Sequence, residues 1–247
     1  MLKIEILQLG RKLFKLSMFY MAPKSMYLLL FAICIPLTSF CQTMTGKDIG
    51  DHMLIDLSKK VAPSITNYEG SPYLSEDFVS GEVYESKKKF TGLLLRYNIF
   101  NDNIEFMQKS TTYALFAEPR IVKVLLGNEV YVVEKHEVKG KMSYGYFARL
   151  DSGKVTLLVK KIVRFTEEQE PKALQGEGTP AKFTRAADVF YYRIGNAETE
   201  KVGSLKSFID SLPDKKDEVS SYAKKEKLGT KNETDLIKLV KYYNSLP

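Results

Sequence analysis

The chain has 247 residues, 44% of them hydrophobic and 27% charged, enough for one generous domain or two small ones with a true core. Its formal charge is +7, but residues 1–41 hold five lysine and arginine residues against Glu5, so without them the balance is +7 − 4 = +3. The remaining cations are interspersed with acids, which excludes the concentrated basic face that nucleic-acid binding needs.

Residues 26–40 form an apolar run, preceded by Lys12, Lys15 and Lys24 and followed by polar sequence from Gln42. Positive flank, short apolar core and small-residue exit are the pattern of a secretory signal peptide, and the run falls short of the ~20 residues a spanning helix needs. The pattern predicts cleavage after Cys41, with Ser39 and Cys41 at the inspected positions and Met18, Met21 or Met26 as alternative starts. Lipidation of Cys41 is the competing outcome; Phe40 stands against it, because lipoprotein signals place a small residue before the cysteine. Cys34 and Cys41 are the only cysteines, so the exported chain would hold none. That removes disulfides, a cysteine nucleophile and a zinc–thiolate site.

Further along, residues 49–57 are an amphipathic patch that periodicity leaves open between a short helix and an entry strand. Gly70, Ser71 and Pro72 mark a turn. Residues 82–84 read as a strand and 87–89 as a charged turn. Residues 90–100 read as a long strand, with Leu93, Leu95, Tyr97 and Ile99 on one face and Arg96 and Asn98 on the other. Asn101, Asp102 and Asn103 tolerate turn geometry, and a two-residue loop of Asp102 and Asn103 sets Ile99 opposite Phe106. Strands follow at 113–116, 120–126, 129–136, 143–150 and 154–165. Hairpin signals separate them at Gly127 with Asn128, and at Asp151, Ser152 and Gly153. A polar loop covers 166–180, and 189–194 is the last strand. No run of helical length interrupts this series, so antiparallel hairpins are expected.

From Gly203 the period changes. Ser204 caps a helix with Leu205, Phe208 and Ile209 inward, Asp214 opens a second that closes near Gly229, and Asn232 opens a third. The third carries Leu236, Leu239, Val240 and Tyr243 on one stripe. The expected class is α+β: an antiparallel β-meander, an open sheet or partly closed barrel, followed by a small C-terminal helical segment. The expected divisions are a signal peptide at 1–41, a β domain at 42–200 and helices at 201–247.

Catalytic signatures are scarce. The chain has no Gly-x-Ser-x-Gly elbow, no phosphate-binding Gly-Lys-Ser/Thr loop and no His-Glu-x-x-His pair. His52 and His136 are its only histidines, and their spacing does not suggest zinc. His136 is expected to be solvated at a strand's polar end. Asp51 and His52 are chain neighbours whose side chains would point apart in a strand. No cofactor or metal is expected. Arg96, Asn98 and Glu105 form the one polar grouping among apolar residues. It is either a small-molecule pocket in an apolar wall or a solvated face with a weak ion pair and a turn-fixing hydrogen bond. Phe190, Tyr191 and Tyr192 fit core plus rim better than a carbohydrate platform.

The segments GSPYLSEDFVSGEVY (70–84), LLLRYNIFNDNIEF (93–106) and the closing YYNSLP (242–247) resemble an uncharacterised family of exported proteins from Bacteroidota. The resemblance spans roughly residues 68–246 and implies an envelope location and a β-rich fold; it supplies no functional residues. The expectation is an exported cell-envelope binding or structural module, with another envelope protein or a membrane component as partner. A tail rich in lysine (Lys215, Lys216, Lys224, Lys225, Lys227) is available for acidic surfaces, although interleaved acids also fit a solvated helix face. The alternative is a carrier or enzyme with a pocket near Arg96.

Overall fold

A computed structural model of the chain describes residues 42–45, 58–60, 67–170 and 178–247. The expected signal peptide, the 49–57 patch and the Asp51–His52 pair lie outside the described residues. The strands in chain order are β1 (Gln42–Thr45), β2 (Ser58–Lys60), β3 (Tyr68–Glu69), β4 (Val79–Glu85), β5 (Lys88–Asn98), β6 (Asn103–Gln108), β7 (Thr111–Phe116) and β8 (Ile121–Leu126). They continue with β9 (Glu129–Val138), β10 (Lys141–Asp151), β11 (Val155–Lys160), β12 (Val163–Thr166), β13 (Ala181–Arg185), β14 (Val189–Ile194) and β15 (Glu200–Lys201). Three helices close the chain: α1 (Leu205–Ser211), α2 (Lys216–Lys225) and α3 (Glu233–Ser245).

Among the described residues, twelve strands form one mostly antiparallel sheet in the order β15-β14-β11-β10-β9-β8-β4-β5-β6-β7-β2, with β1 added parallel to the start of β5. The sheet curls into a half-barrel, and the class is α+β as the pattern predicts. Its curl can be read from one contact. Six strand steps separate β10 from β7, roughly 29 Å in a flat sheet. Yet the Tyr146 hydroxyl on β10 donates to the Phe116 carbonyl on β7 at 3.3 Å. The concave side holds Leu95, Tyr97, Ile104, Phe106, Leu115, Val124, Tyr131 and Tyr146, all buried. In β5 both Phe90 and Leu93 point inward despite their odd spacing. The β4–β5 pairing slips there, and Gly92 absorbs the extra residue at φ +68°.

Several expectations change, among them the charged turn at 87–89, since Lys88 and Lys89 open β5. Strand β5 pairs Leu95, not Ile99, with Phe106, so the loop before β6 has four residues, 99–102. Asn98 stabilises this longer loop: its Oδ1 accepts the Asn101 N–H at 3.0 Å, and Asp102 adopts φ +49°. The run 154–165 is two strands in different sheets, because the main-sheet pairing ends at Lys160. Beyond it β12 pairs with β13, to which the sequence pattern gave no element, and β13 pairs with β3. The second helix starts at Lys216 rather than Asp214; Lys215 sits at φ +56°, and the Asp214 carboxylate accepts the Tyr243 hydroxyl at 2.8 Å.

The helices pack on the β11–β14 end of the sheet. Phe208, Ile209, Leu212, Val219, Leu236, Leu239, Val240 and Tyr243 bury against Val155, Leu157 and Tyr192. Ser204 caps α1 by accepting the Ser207 N–H at 3.1 Å, and Asn232 caps α3 by accepting the Thr234 N–H at 2.8 Å. Asn244 joins the end of α3 to β11, accepting the Val155 N–H and donating to the Val155 carbonyl, both at 2.9 Å.

Candidate functional site

Two buried polar groups lie on the sheet. The first is the one the sequence singles out. Antiparallel pairing sets Arg96 on β5 opposite Glu105 on β6, two residues along from Asn98. Arg96 donates to Glu105 Oε2 from Nε at 2.8 Å and lies 2.7 Å from it through Nη2. Asn98 Nδ2 donates to Glu105 Oε1 at 3.1 Å. All three expected residues therefore meet.

What covers them has no local signature in the sequence. Residues 72–74 run beside β5 past the start of β4: the Leu74 N–H donates to the Tyr97 carbonyl at 3.0 Å and the Ile99 N–H to the Pro72 carbonyl at 2.9 Å. This places Tyr73 over the group. Arg96 Nη2 donates to the Tyr73 hydroxyl at 2.8 Å, and that hydroxyl donates to Glu105 Oε1 at 3.5 Å. Arg96 Nη1 donates to the Glu76 carbonyl at 3.2 Å. The guanidinium lies 3.8 Å from the Tyr73 ring centre and 4.5 Å from that of Phe78. Glu105 is 1% exposed and the Arg96 side chain 18%. Burial, and then the charge of Glu105, push the Tyr73 phenol up to about 12, so it stays a proton donor at neutral pH. Every guanidinium nitrogen and both carboxylate oxygens are engaged within the chain.

The second group was not anticipated. Asp102, at the end of the β5–β6 loop, reaches across the curl to β10 and β11. Its Oδ1 accepts the Tyr97 hydroxyl at 2.7 Å and the Tyr146 N–H at 3.3 Å, while Lys160 Nζ donates to Oδ2 at 2.5 Å. Lys160 Nζ also donates to the Tyr146 carbonyl at 2.8 Å. The backbone of Tyr146 lies just beyond the last β10–β11 pairs, so these side chains serve a strand edge that β11 has left. Burial lowers the Lys160 ammonium below its usual value, against the pull of Asp102.

His136 stands beside them, and here the solvated expectation is corrected. It is 5% exposed, with its ring edge-on to Phe147 at 4.9 Å and to Tyr191 at 6.0 Å. Phe147 on β10 and Tyr191 on β14 cover the face that His136 shares, opposite the face of Tyr131 and Tyr146. Its Nδ1 has no hydrogen-bond partner among the described residues. Burial first, then the Lys160 ammonium, hold the imidazole below its usual 6.5, opposed by Asp102 and by the carbonyls of Glu134 and Ser143. Gly145 makes the convergence possible. A Cβ there would lie 2.6 Å from Asp102 Oδ2 and 2.7 Å from both His136 Cε1 and Lys160 Nζ. The signal in the sequence was slight: a lysine ending the otherwise uncharged VTLLVK run of β11.

Elsewhere, Phe190 and Tyr191 are half-buried and Tyr192 is buried, as core plus rim requires. Of the tail lysines, Lys215 pairs with Glu218 at 3.3 Å and Lys216 donates to the Asp210 carbonyl at 2.6 Å. A hollow of about 390 Å³ between α1 and α2 is lined by Leu205, Ile209, Lys216 and Lys224 with Asp210 and Asp217. Among the described residues, no three of His, Cys, Asp and Glu are grouped to hold a metal, and no helix is long and apolar enough to cross a membrane. Comparison with protein-family models, with curated proteins and with solved structures finds no match to this chain.

Proposed function

We propose that this is an exported cell-envelope protein that acts as a binding or structural module, of the kind its Bacteroidota resemblance implies. The observation that carries this reading is the inward closure of the Arg96 group. A small-molecule site presents donors and acceptors to a ligand, whereas Arg96, Asn98 and Glu105 direct theirs at one another and at Tyr73 and Glu76. The signal-like run at 26–40 and the polar sequence after Gln42 support export. Its partners are then another envelope protein or a membrane component, met at the surface. Fractionation of producing cells with in-cell crosslinking tests this. Recovery in the periplasmic or outer-membrane fraction, crosslinked to an envelope component, is expected; recovery in the cytoplasm contradicts it. Sensitivity of processing to globomycin separates lipidation at Cys41 from simple cleavage.

The second reading is a carrier or enzyme with a pocket beside Arg96, and one observation favours it. Asn103, paired with Asn98 in the sheet, keeps a buried Oδ1 without a partner among the described residues. On this reading Arg96→Ala abolishes ligand retention while leaving the melting temperature nearly unchanged.

A further inference from the structure

The hairpin of β9 and β10 outruns the sheet that carries it. Strand β9 pairs with β8 only from Glu129 to Tyr131, and β10 pairs with β11 only from Ala148 onward. Beyond those points, among the described residues, the two strands pair with each other as far as Val138 and Lys141. Lys139 and Gly140 close the ribbon at φ +50° and +77°, the left-handed pair that matches the twist of a two-residue hairpin. Every residue from 137 to 144 is exposed.

The side chains at this tip are unusual for a solvated ribbon. Val138, Met142 and Tyr144 are 43%, 45% and 44% exposed. The register pairs Val138 with Lys141 on one face, and Met142 with Glu137 and Tyr144 with Lys135 on the other. Apolar groups thus lie on both faces of the same tip. A protein partner that docks on a sheet covers one face; a medium that surrounds the tip covers both. The tip also carries Lys139 and Lys141 against Glu137, a positive balance that complements anionic headgroups, while Lys135 below them pairs with Glu198 at 3.2 Å. Tyrosine with flanking lysines is the composition that favours a membrane–water interface.

We propose that the tip of the β9–β10 hairpin inserts into the interfacial layer of an anionic bilayer. The insertion is shallow, because the outer edges of a two-stranded ribbon carry backbone groups that hydrocarbon cannot satisfy and headgroups with water can. The ribbon's base is fixed by His136 packed with Phe147 and Tyr191 and by the Tyr146 N–H bound to Asp102. The tip is therefore ordered before it meets the membrane. This inference rests on the envelope-module reading and names its membrane component.

The chain contains no tryptophan, so Tyr144→Trp in the full chain gives a single emitter at the tip, and Leu94→Trp gives one at an exposed position of β5 away from the tip. Residues 1–41 are identical in both. With phosphatidylglycerol vesicles, the tip emission is expected to shift blue and to be quenched by brominated acyl chains, while the Leu94→Trp emission is not. Lys139→Glu with Lys141→Glu should weaken the tip signal at least tenfold in lipid concentration, at about fivefold per lysine removed. Unquenched tip emission while the protein sediments with the vesicles overturns the proposal and leaves the envelope reading standing. Equal quenching with phosphatidylcholine vesicles also overturns it, since the charge argument then fails. Protection of the tip by an envelope protein, with vesicles inert, assigns the surface to that partner instead.

Discussion

The two buried polar groups contrast in how their members come together. Arg96 and Glu105 lie nine residues apart on adjacent strands of one hairpin, and strand pairing sets the two charges together. Asp102 and Lys160 are 58 residues apart and meet only because the sheet curls. The first group fastens a covering segment to a strand. The second closes a gap left where β11 turns away from β10. A carboxylate–cation pair inside a hairpin is thus a local device, whereas the same chemistry across the curl records the shape of the whole sheet.

Substitutions should separate the two. Glu105→Ala strands the Arg96 guanidinium and the Asn98 amide at a 1% exposed position, and a loss of about 3–5 kcal/mol is expected in urea denaturation. A loss below that of an ordinary surface change would mean the group is open to water. Gly145→Ala acts on the second group by driving a methyl into Asp102, His136 and Lys160, with an expected loss of about 1–3 kcal/mol. Because that cost comes from crowding at the curl, Lys160→Met should relieve part of it. Strictly additive losses in the double variant would show that Gly145 and Lys160 do not share the site.

The smallest effect concerns pH. The folded chain holds the His136 imidazole below its usual 6.5, so the unfolded chain binds the proton more readily. Stability should therefore fall as pH drops through 6.5 and level off below the folded-state value. His136→Leu should flatten that part of the profile relative to the parent chain. An unchanged slope would place the histidine in water.

Much of the fold was legible because it is local. The period of two located most strands, and the Gly127–Asn128 and Asp151–Gly153 signals marked true hairpins. The stripe Leu236, Leu239, Val240 and Tyr243 is buried as its spacing requires. Arg96, Asn98 and Glu105 were legible for the same reason, being polar where apolar residues alternate. The register of the β5–β6 hairpin was not, since it depends on Asn98 bonding to Asn101 rather than on turn composition. His136 was misplaced because its cover comes from Phe147 and Tyr191, which lie on other strands and leave no mark on the sequence around it. Tyr73 as the lid of the Arg96 group had no local signal at all.

On the proposed reading, Arg96 is a structural member rather than a ligand contact. Urea denaturation of Arg96→Ala beside the parent chain tests it most directly. A loss of about 3 kcal/mol or more is expected, because Glu105 would then be a buried carboxylate without its cation. A change within about 0.5 kcal/mol, the range of ordinary surface substitutions, would contradict it.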